Sequence, residues 1–151
     1  MMRPDSERWI LAKASGDRAE LAIAAWFRGR GFEPYKTLGP AAFDLLLQCP
    51  VEVKHDARAV ETGNVAIETH HRGQPSGILT SRATYWAIVV GAEAFIVGTE
   101  KLRTLALAGG FPKAQAGDDQ AATVRLLPVD RLRSKRFVRV VALPELSDAQ
   151  K

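Results

Sequence analysis

The sequence predicts an α/β (α+β) protein with a central mixed β-sheet flanked by helices. A long helical pattern near the beginning of the chain is followed by several short apolar or alternating runs that are typical of strands. Helical patterns recur between the later runs, so helices and strands are interspersed along the chain. The 151 residues suffice for one domain, and no internal repeat or low-complexity segment divides them.

The first helix is predicted over residues 5–30, with an interruption at "ASGD" and a glycine stop at Gly31. One face of its second half carries residues at helical spacings, namely Glu20, Ile23, Ala24 and Phe27. Because that face is otherwise apolar, Glu20 is expected to point towards the core.

The predicted strands are, in order, "FDLLL" (43–47), "VEVKH" (51–55), "NVAIET" (64–69), "YWAIVV" (85–90) and "AFIVG" (94–98). The first two form a hairpin, and the third is expected next to the central strand. A short helix capped by Ser76 lies before residue 85, and a helix capped by Thr99 ends at Gly109. A polar loop "FPKAQAGDDQAAT", a strand "TVRLLP", a helical turn "VDRLRSK" and a strand "FVRVVAL" complete the chain.

The predicted hairpin contains charges that a buried pair of strands normally lacks: Asp44, Glu52 and Lys54. Alternation places Glu52 and Lys54 on one face of their strand and leaves the other face to Val51, Val53 and His55. The register of the hairpin decides whether Asp44 joins the two charged residues.

Two connections are open for this hairpin. A two-residue turn pairs position 48 with 51 and turns Asp44 away, whereas a three-residue connection over 48–50 pairs 44 with 54 and brings the charges together. Pro50 has no N–H for the tighter ladder, which favours the longer connection.

Converging carboxylates repel one another and raise each other's pKa unless a cation lies between them. Oxygen ligands of this kind suit Mg²⁺ or Mn²⁺, which usually keeps several waters and shares its shell with a substrate phosphate. The ammonium of Lys54 would then orient or help to deprotonate an attacking water and stabilise charge on the phosphorus oxygens. Glu20, brought in on its helix, is placed to complete the shell or to hold a second ion.

The residues that converge resemble the PD-(D/E)XK nuclease superfamily. The similarity lies in a helical Glu20, then Asp44, then seven intervening residues and Glu52-Val53-Lys54. The order of elements also resembles that superfamily, particularly its Holliday-junction-resolvase-like and phage-type members. Phe43 stands where the family has proline.

The resemblance covers residues 15–98 and implies a single domain over 1–151 with a restriction-endonuclease-like αβββαβ core. It implies a Mg²⁺- or Mn²⁺-dependent phosphodiesterase that cleaves DNA in processing, repair or recombination. The implied metal ligands are Asp44, Glu52, the backbone of Val53 and Glu20, and the implied partner of the attacking water is Lys54.

Further residues have an outer role in this interpretation. Glu68 either reaches the metal-bound waters or is merely exposed, and Gln74 lies in a loop from which some members of the family position water or phosphate. The candidate DNA contacts are Arg72 and Arg82, together with the basic residues of the C-terminal part 120–145, Arg131, Arg133, Lys135 and Arg136.

Six basic residues against one acid between Arg125 and Arg139 form either a footprint for a polyanion or a solvated face. A homodimer would suit symmetric cutting of two strands. Two alternatives remain open: a nucleic-acid-binding module that keeps the fold without cutting, and a structural protein whose charges are surface pairs.

Composition restricts the setting. No apolar run approaches the roughly 18 residues needed to span a bilayer, and the start "MMRPDSERW" is too polar for a secretory signal. The single Cys49 excludes an internal disulfide and suits a reducing compartment. The expectation is a cytoplasmic protein with no membrane partner and no organic cofactor.

Overall fold

The structure is a computed structural model that describes residues 4–30, 32, 34–36, 44–46 and 49–147. Its helices are α1 Pro4–Arg28, α2 Ala59–Thr62, a 3₁₀ helix Gly77–Leu79, α3 Thr99–Ala108, α4 Val129–Arg133 and α5 Pro144–Ser147. Its strands are β1 Tyr35–Lys36, β2 Leu45–Leu46, β3 Pro50–His55, β4 Asn64–His71, β5 Gln74–Pro75, β6 Tyr85–Val90, β7 Glu93–Gly98, β8 Lys113–Ala116, β9 Ala122–Pro128 and β10 Val138–Ala142.

These strands form two sheets. The first is six-stranded with the order β1-β2-β3-β6-β7-β10, and in it β3 runs parallel to β6 while the other neighbours are antiparallel. The second is four-stranded and antiparallel with the order β5-β4-β9-β8. The predicted α/β (α+β) class is confirmed, but the placement of residues 64–69 beside the central strand is wrong, because β4 belongs to the second sheet.

The chain leaves the first sheet for the second at Asp56, whose side chain is almost fully buried. Its Oδ1 accepts the N–H of Ala59 at 3.2 Å, and its Oδ2 accepts the N–H of Ala66 at 2.9 Å. The carboxylate therefore ties the end of β3 to α2 and β4. This change of direction explains why β4 does not continue the first sheet.

Helix α1 covers one face of the first sheet. Its small and branched side chains, including Ala19, Ala22 and Ile23, pack with Val51 and Val89 of the sheet. The helix is continuous through "ASGD", so the predicted interruption is wrong. A glycine inside a helix costs only about 1 kcal/mol, which the packing of a 25-residue helix offsets. The predicted stop at Gly31 lies outside the described residues.

Three local predictions also need correction. The predicted polar loop contains β8, which pairs with β9. Ser76 precedes the 3₁₀ helix, but its hydroxyl does not cap it. Thr99 is the first residue of α3 rather than its cap, and its hydroxyl donates to Ala83 O at 2.6 Å. In each case the hydrogen-bond partner lies in another element: β9 for β8, Glu68 on β4 for Ser76, and Ala83 for Thr99.

Gly77 lies against β4 with no room for a side chain. Its φ is +54°, and a Cβ there would lie 2.4 Å from the carbonyl oxygen of Glu68. We expect Gly77→Ala to lower the free energy of unfolding by about 3 kcal/mol in urea denaturation, since clash and backbone strain act together. Gly73→Ala is the matched control, because Gly73 has φ +77° but open space around it and should cost only about 1 kcal/mol. Equal losses in the two variants would contradict close packing at Gly77.

In the part of the chain that the structure describes, no helix combines the length and apolar character needed to cross a membrane.

Candidate active site

The pairing of β2 with β3 brings Asp44 to the side of Glu52. The paired residues are Leu45 with Val51 and Leu46 with Pro50. Asp44 lies one residue before these pairs, and its charge raises the pKa of Glu52, so the two carboxylates lie close together as predicted. The expected pairing of Asp44 with Lys54 is wrong, because the register differs by two residues, a shift that leaves the face unchanged. The predicted connection includes Gln48, which lies outside the described residues.

The Asp44 side chain is anchored to the neighbouring strand. Its backbone N–H donates to Val51 O at 3.2 Å, and its Oδ2 accepts the N–H of Val53 at 2.8 Å. The carboxylate therefore extends the β2–β3 pairing and is held beside the two residues that flank Val53.

Alternation along β3 separates apolar from charged side chains as predicted. Val51 and Val53 pack on the α1 side of the sheet, and His55 Nδ1 lies 2.7 Å from Ser15 Oγ on α1. Burial lowers the pKa of His55. Glu52 and Lys54 therefore occupy the opposite face of the strand.

Helix α1 contributes Glu20 to the same neighbourhood. The Glu20 side chain is 17% exposed, and its Oε2 lies 2.9 Å from Lys36 Nζ on β1. The predicted inward direction of Glu20 is confirmed. Lys36 also donates to Asp17 at 2.8 Å, so it bridges two acids of α1. Sequence reasoning missed Lys36, because no motif marks it and its place depends on the pairing of β1 with β2.

The three carboxylates influence one another. Burial raises the pKa of Asp44 and the charge of Glu20 raises it further, whereas the hydrogen bond from Val53 and the charge of Lys36 oppose this shift. Burial, together with the charges of Asp44 and Glu20, raises the pKa of Glu52 to about 7, and only Lys54 acts in the other direction. Repulsion between the carboxylates therefore adds to the effect of burial.

This donor set fits a divalent cation of the Mg²⁺ type. Such an ion is usually bound through one or two carboxylates, with water and substrate completing its shell. Asp44 and Glu52 supply the carboxylates. Within the described ranges, no three acidic, histidine or cysteine side chains form a group that could hold an ion. Because Glu20 is already paired with Lys36, this arrangement offers an ion two carboxylates rather than three.

Lys54 lies next to Glu52 on the charged face and is half-buried. Its ammonium forms no hydrogen bond or ion pair with the residues that the structure describes, so it is available to a ligand. It lines a cleft of about 510 Å³ between β3 and the second sheet.

The outer candidates lie apart from this group. Glu68 accepts the hydroxyl of Ser76 at 2.7 Å and is not among the charges that shift the pKa of Glu52. Gln74 is exposed on the short strand β5. Arg72 is exposed and lies 3.4 Å from Asp119. Arg82 is exposed as well. The structure therefore does not join these four residues to the carboxylates.

The basic residues around α4 divide into two groups. Arg133 donates to both oxygens of Glu93, at 2.6 and 3.3 Å, and its guanidinium lies 5.2 Å from the centre of the Phe95 ring. A DNA contact by Arg133 would require this pair to break. In the described structure, no ion pair engages the other three predicted contacts, which are Arg131, Lys135 and Arg136.

The raised pKa of Glu52 makes stability depend on pH. Its pKa rises from 4.5 to about 7, so the folded chain binds the proton more tightly, and the free energy of unfolding falls as pH rises through that window. We expect Glu52→Gln, in EDTA, to be more stable than wild type above the window by about 2 kcal/mol after allowance for solvent screening. The two proteins should be equally stable below the window. Urea unfolding across this pH range measures the difference.

The control for this titration is Glu61→Gln, which changes an exposed glutamate of α2 and should follow wild type. Added Mg²⁺ should raise the free energy of unfolding of the wild type at neutral pH to that of Glu52→Gln, since an ion that binds only the folded chain stabilises the folded state. A pH profile shared by wild type and Glu52→Gln would contradict the crowding of carboxylates.

No family model and no curated protein matches the sequence. The fold is similar to that of the bacterial homing endonuclease I-Ssp6803I, with 18% sequence identity and a TM-score of 0.52, and the match covers 82% of each chain. At this identity the likeness concerns the fold, which this chain therefore shares with an endonuclease.

Proposed function

We propose that the protein is a Mg²⁺-dependent nuclease that hydrolyses phosphodiester bonds of DNA and belongs to the PD-(D/E)XK superfamily. The observation that carries this proposal is the convergence of Asp44, Glu52 and Glu20, with Lys54 beside them on the charged face of β3. The likeness in fold to a homing endonuclease supports DNA as the substrate.

In this proposal Asp44, Glu52 and the backbone carbonyl of Val53 hold the ion. A bound divalent cation supplies positive charge to the scissile phosphate and lowers the pKa of water. The Lys54 ammonium orients the attacking water, and its positive charge favours loss of the water's proton to the solvent. It also donates to the phosphate oxygens as negative charge accumulates there.

Glu20 and Lys36 act together at the edge of the site. Their ion pair fixes the direction of the Glu20 carboxylate and keeps its charge near Asp44 and Glu52. Glu20 would be a third carboxylate available to the ion when Lys36 is paired with a substrate phosphate instead. The pair therefore links substrate binding to assembly of the full site.

Contacts with DNA are proposed to be chiefly to phosphates. Exposed cations supply them, namely Arg72, Arg82, Arg131 and Arg136, together with the half-buried Lys135. Binding of this kind weakens steeply with salt and carries little sequence information. Processing, repair or recombination of DNA is the setting, and symmetric cutting of two strands would use a homodimer.

A nucleic-acid-binding module that does not cut is the second candidate. The ion pair of Lys36 with Glu20 favours it, because a protein cation already offsets part of the acidic charge without a metal. This candidate predicts undiminished DNA binding in EDTA and no cleavage.

The test is cleavage of labelled linear, nicked and four-way-junction DNA in Mg²⁺, Mn²⁺ or EDTA. Cleavage that requires the metal ion would support the proposed nuclease function. The DNA that is cleaved fastest would show whether the enzyme acts on linear, nicked or branched DNA. Binding without cutting under every metal condition would overturn it in favour of the binding module.

A further inference from the structure

We propose that the cleft beside Lys54 is a subsite for the nucleotide that flanks the cleaved phosphate. This inference rests on the proposed nuclease function and adds the position of the neighbouring nucleotide. The cleft has a volume of about 510 Å³ and lies between the end of β3, the segment around α2 and one face of the second sheet. That volume is within the range of ligand-binding clefts, which runs from about 300 to 1,000 Å³.

The charged lining of the cleft favours an anion. Lys54 and Arg58 both line it, and neither side chain forms an ion pair or hydrogen bond with the described residues. Asp56 is the acid in the lining, and both of its oxygens already accept backbone N–H groups, from Ala59 and Ala66. The cleft therefore offers two cations to a phosphate and no carboxylate oxygen without a donor.

The floor of the cleft is flat and apolar. Register pairs Ala114 with Val124 and Ala66 with Leu126, and side chains of directly paired residues share one face of a sheet. All four line the cleft, as does Ala116. Alanine side chains end after one carbon, so the floor leaves space over which the flat face of a base or a deoxyribose can lie.

Lys54 joins the two regions, because it belongs to the proposed catalytic group and also lines the cleft. A strand whose scissile phosphate lies beside Lys54, at the cation that Asp44 and Glu52 would hold, would therefore continue past Lys54 onto the second sheet. A nucleotide has the required shape: a phosphate for Lys54 and Arg58, and a sugar and base for the apolar floor.

The test uses the 5′-phosphorylated thymidine dinucleotide as a probe in EDTA, so that neither metal nor cutting is needed. We expect it to shift the NMR amide signals of Ala66, Ala114 and Ala116 in the ¹⁵N-labelled protein. Arg58→Ala should weaken the dinucleotide about tenfold, the size of one charge-assisted hydrogen bond. Ala114→Leu, which fills the floor, should abolish these shifts.

Lys101→Ala is the control, since Lys101 is an exposed cation of α3 outside the cleft and should leave binding unchanged. Arg58 is exposed, so Arg58→Ala is expected to keep the fold. This variant therefore tests the subsite even if Ala114→Leu does not fold. Shifts that are lost in the Arg58 variant support the subsite even for a protein that does not cut DNA.

The subsite and the nuclease fail in different ways. A wild-type protein that cuts DNA, but in which the dinucleotide shifts other amides or binds Arg58→Ala as tightly, overturns the subsite and leaves the nuclease intact. Absence of any shift at the three alanines overturns the subsite as well. Absence of cutting bears only on the proposed nuclease.

Discussion

Replacing Lys54 by methionine is expected to slow DNA cleavage about 10³-fold, because it removes one ammonium that both orients the attacking water and stabilises charge on the phosphate. Methionine keeps most of the length of the side chain, so packing beside Glu52 is preserved. The pKa of Glu52 should rise further, since Lys54 is the group that lowers it. Single-turnover cleavage of a labelled substrate, with enzyme in excess, measures the chemical step.

Lys101→Met is the matched control for this variant, since it removes one exposed cation from α3. It should cut at the wild-type rate at low salt. DNA affinity in EDTA should change little in Lys54→Met, because a single lysine contributes only part of the phosphate contacts. Cleavage by Lys54→Met within a few-fold of wild type would remove Lys54 from the proposed chemistry.

Replacing Asp44 by asparagine is expected to abolish metal-dependent cleavage and to weaken binding of Mn²⁺ measured by calorimetry. The amide oxygen of asparagine can still accept the N–H of Val53, so the β2–β3 junction should hold. The lost charge leaves Glu52 as the main carboxylate ligand. The pKa of Glu52 should fall, because the negative charge of Asp44 no longer opposes its ionisation. A reduction of at least about 10³-fold in single-turnover rate is the expected scale.

Asp130→Asn controls for the removal of an exposed acid and should retain both cutting and Mn²⁺ binding. The two active-site variants should also differ from one another. Lys54→Met should bind Mn²⁺ as the wild type does, whereas Asp44→Asn should bind it more weakly. Unchanged Mn²⁺ binding in Asp44→Asn would show that the ion is held elsewhere, and the proposed site would then be wrong.

The local patterns of the sequence were sufficient for most elements of the first sheet. Period-two alternation in "VEVKH" predicted that Glu52 and Lys54 lie on one face. Strand β3 has that arrangement, because Val51 and Val53 pack against the apolar side chains of α1. The helical spacing of Glu20 with Ile23 predicted its inward direction in the same way. These are properties of one segment, so the segment alone determines them.

The second sheet was not predictable from the same patterns. Strand β8 consists of Lys113, Ala114, Gln115 and Ala116, which have weak strand preference and form a strand only because β9 supplies the hydrogen bonds. Strand β4 has a clear strand pattern, but its sequence does not say which strand it pairs with. The buried carboxylate of Asp56 holds the start of β4 away from the first sheet, because it accepts the N–H groups of Ala59 and Ala66.

The sequence by itself determined the fold class, the strand that bears Glu52 and Lys54, and the inward face of Glu20. Tertiary structure alone decided the pairing of β2 with β3 that brings Asp44 near Glu52, the position of Lys36 against Glu20, and the cleft beside Lys54. The physical reason is that side-chain periodicity records which face of a segment is buried. Backbone hydrogen bonds between distant segments, which every residue type except proline can make, fix how those faces meet.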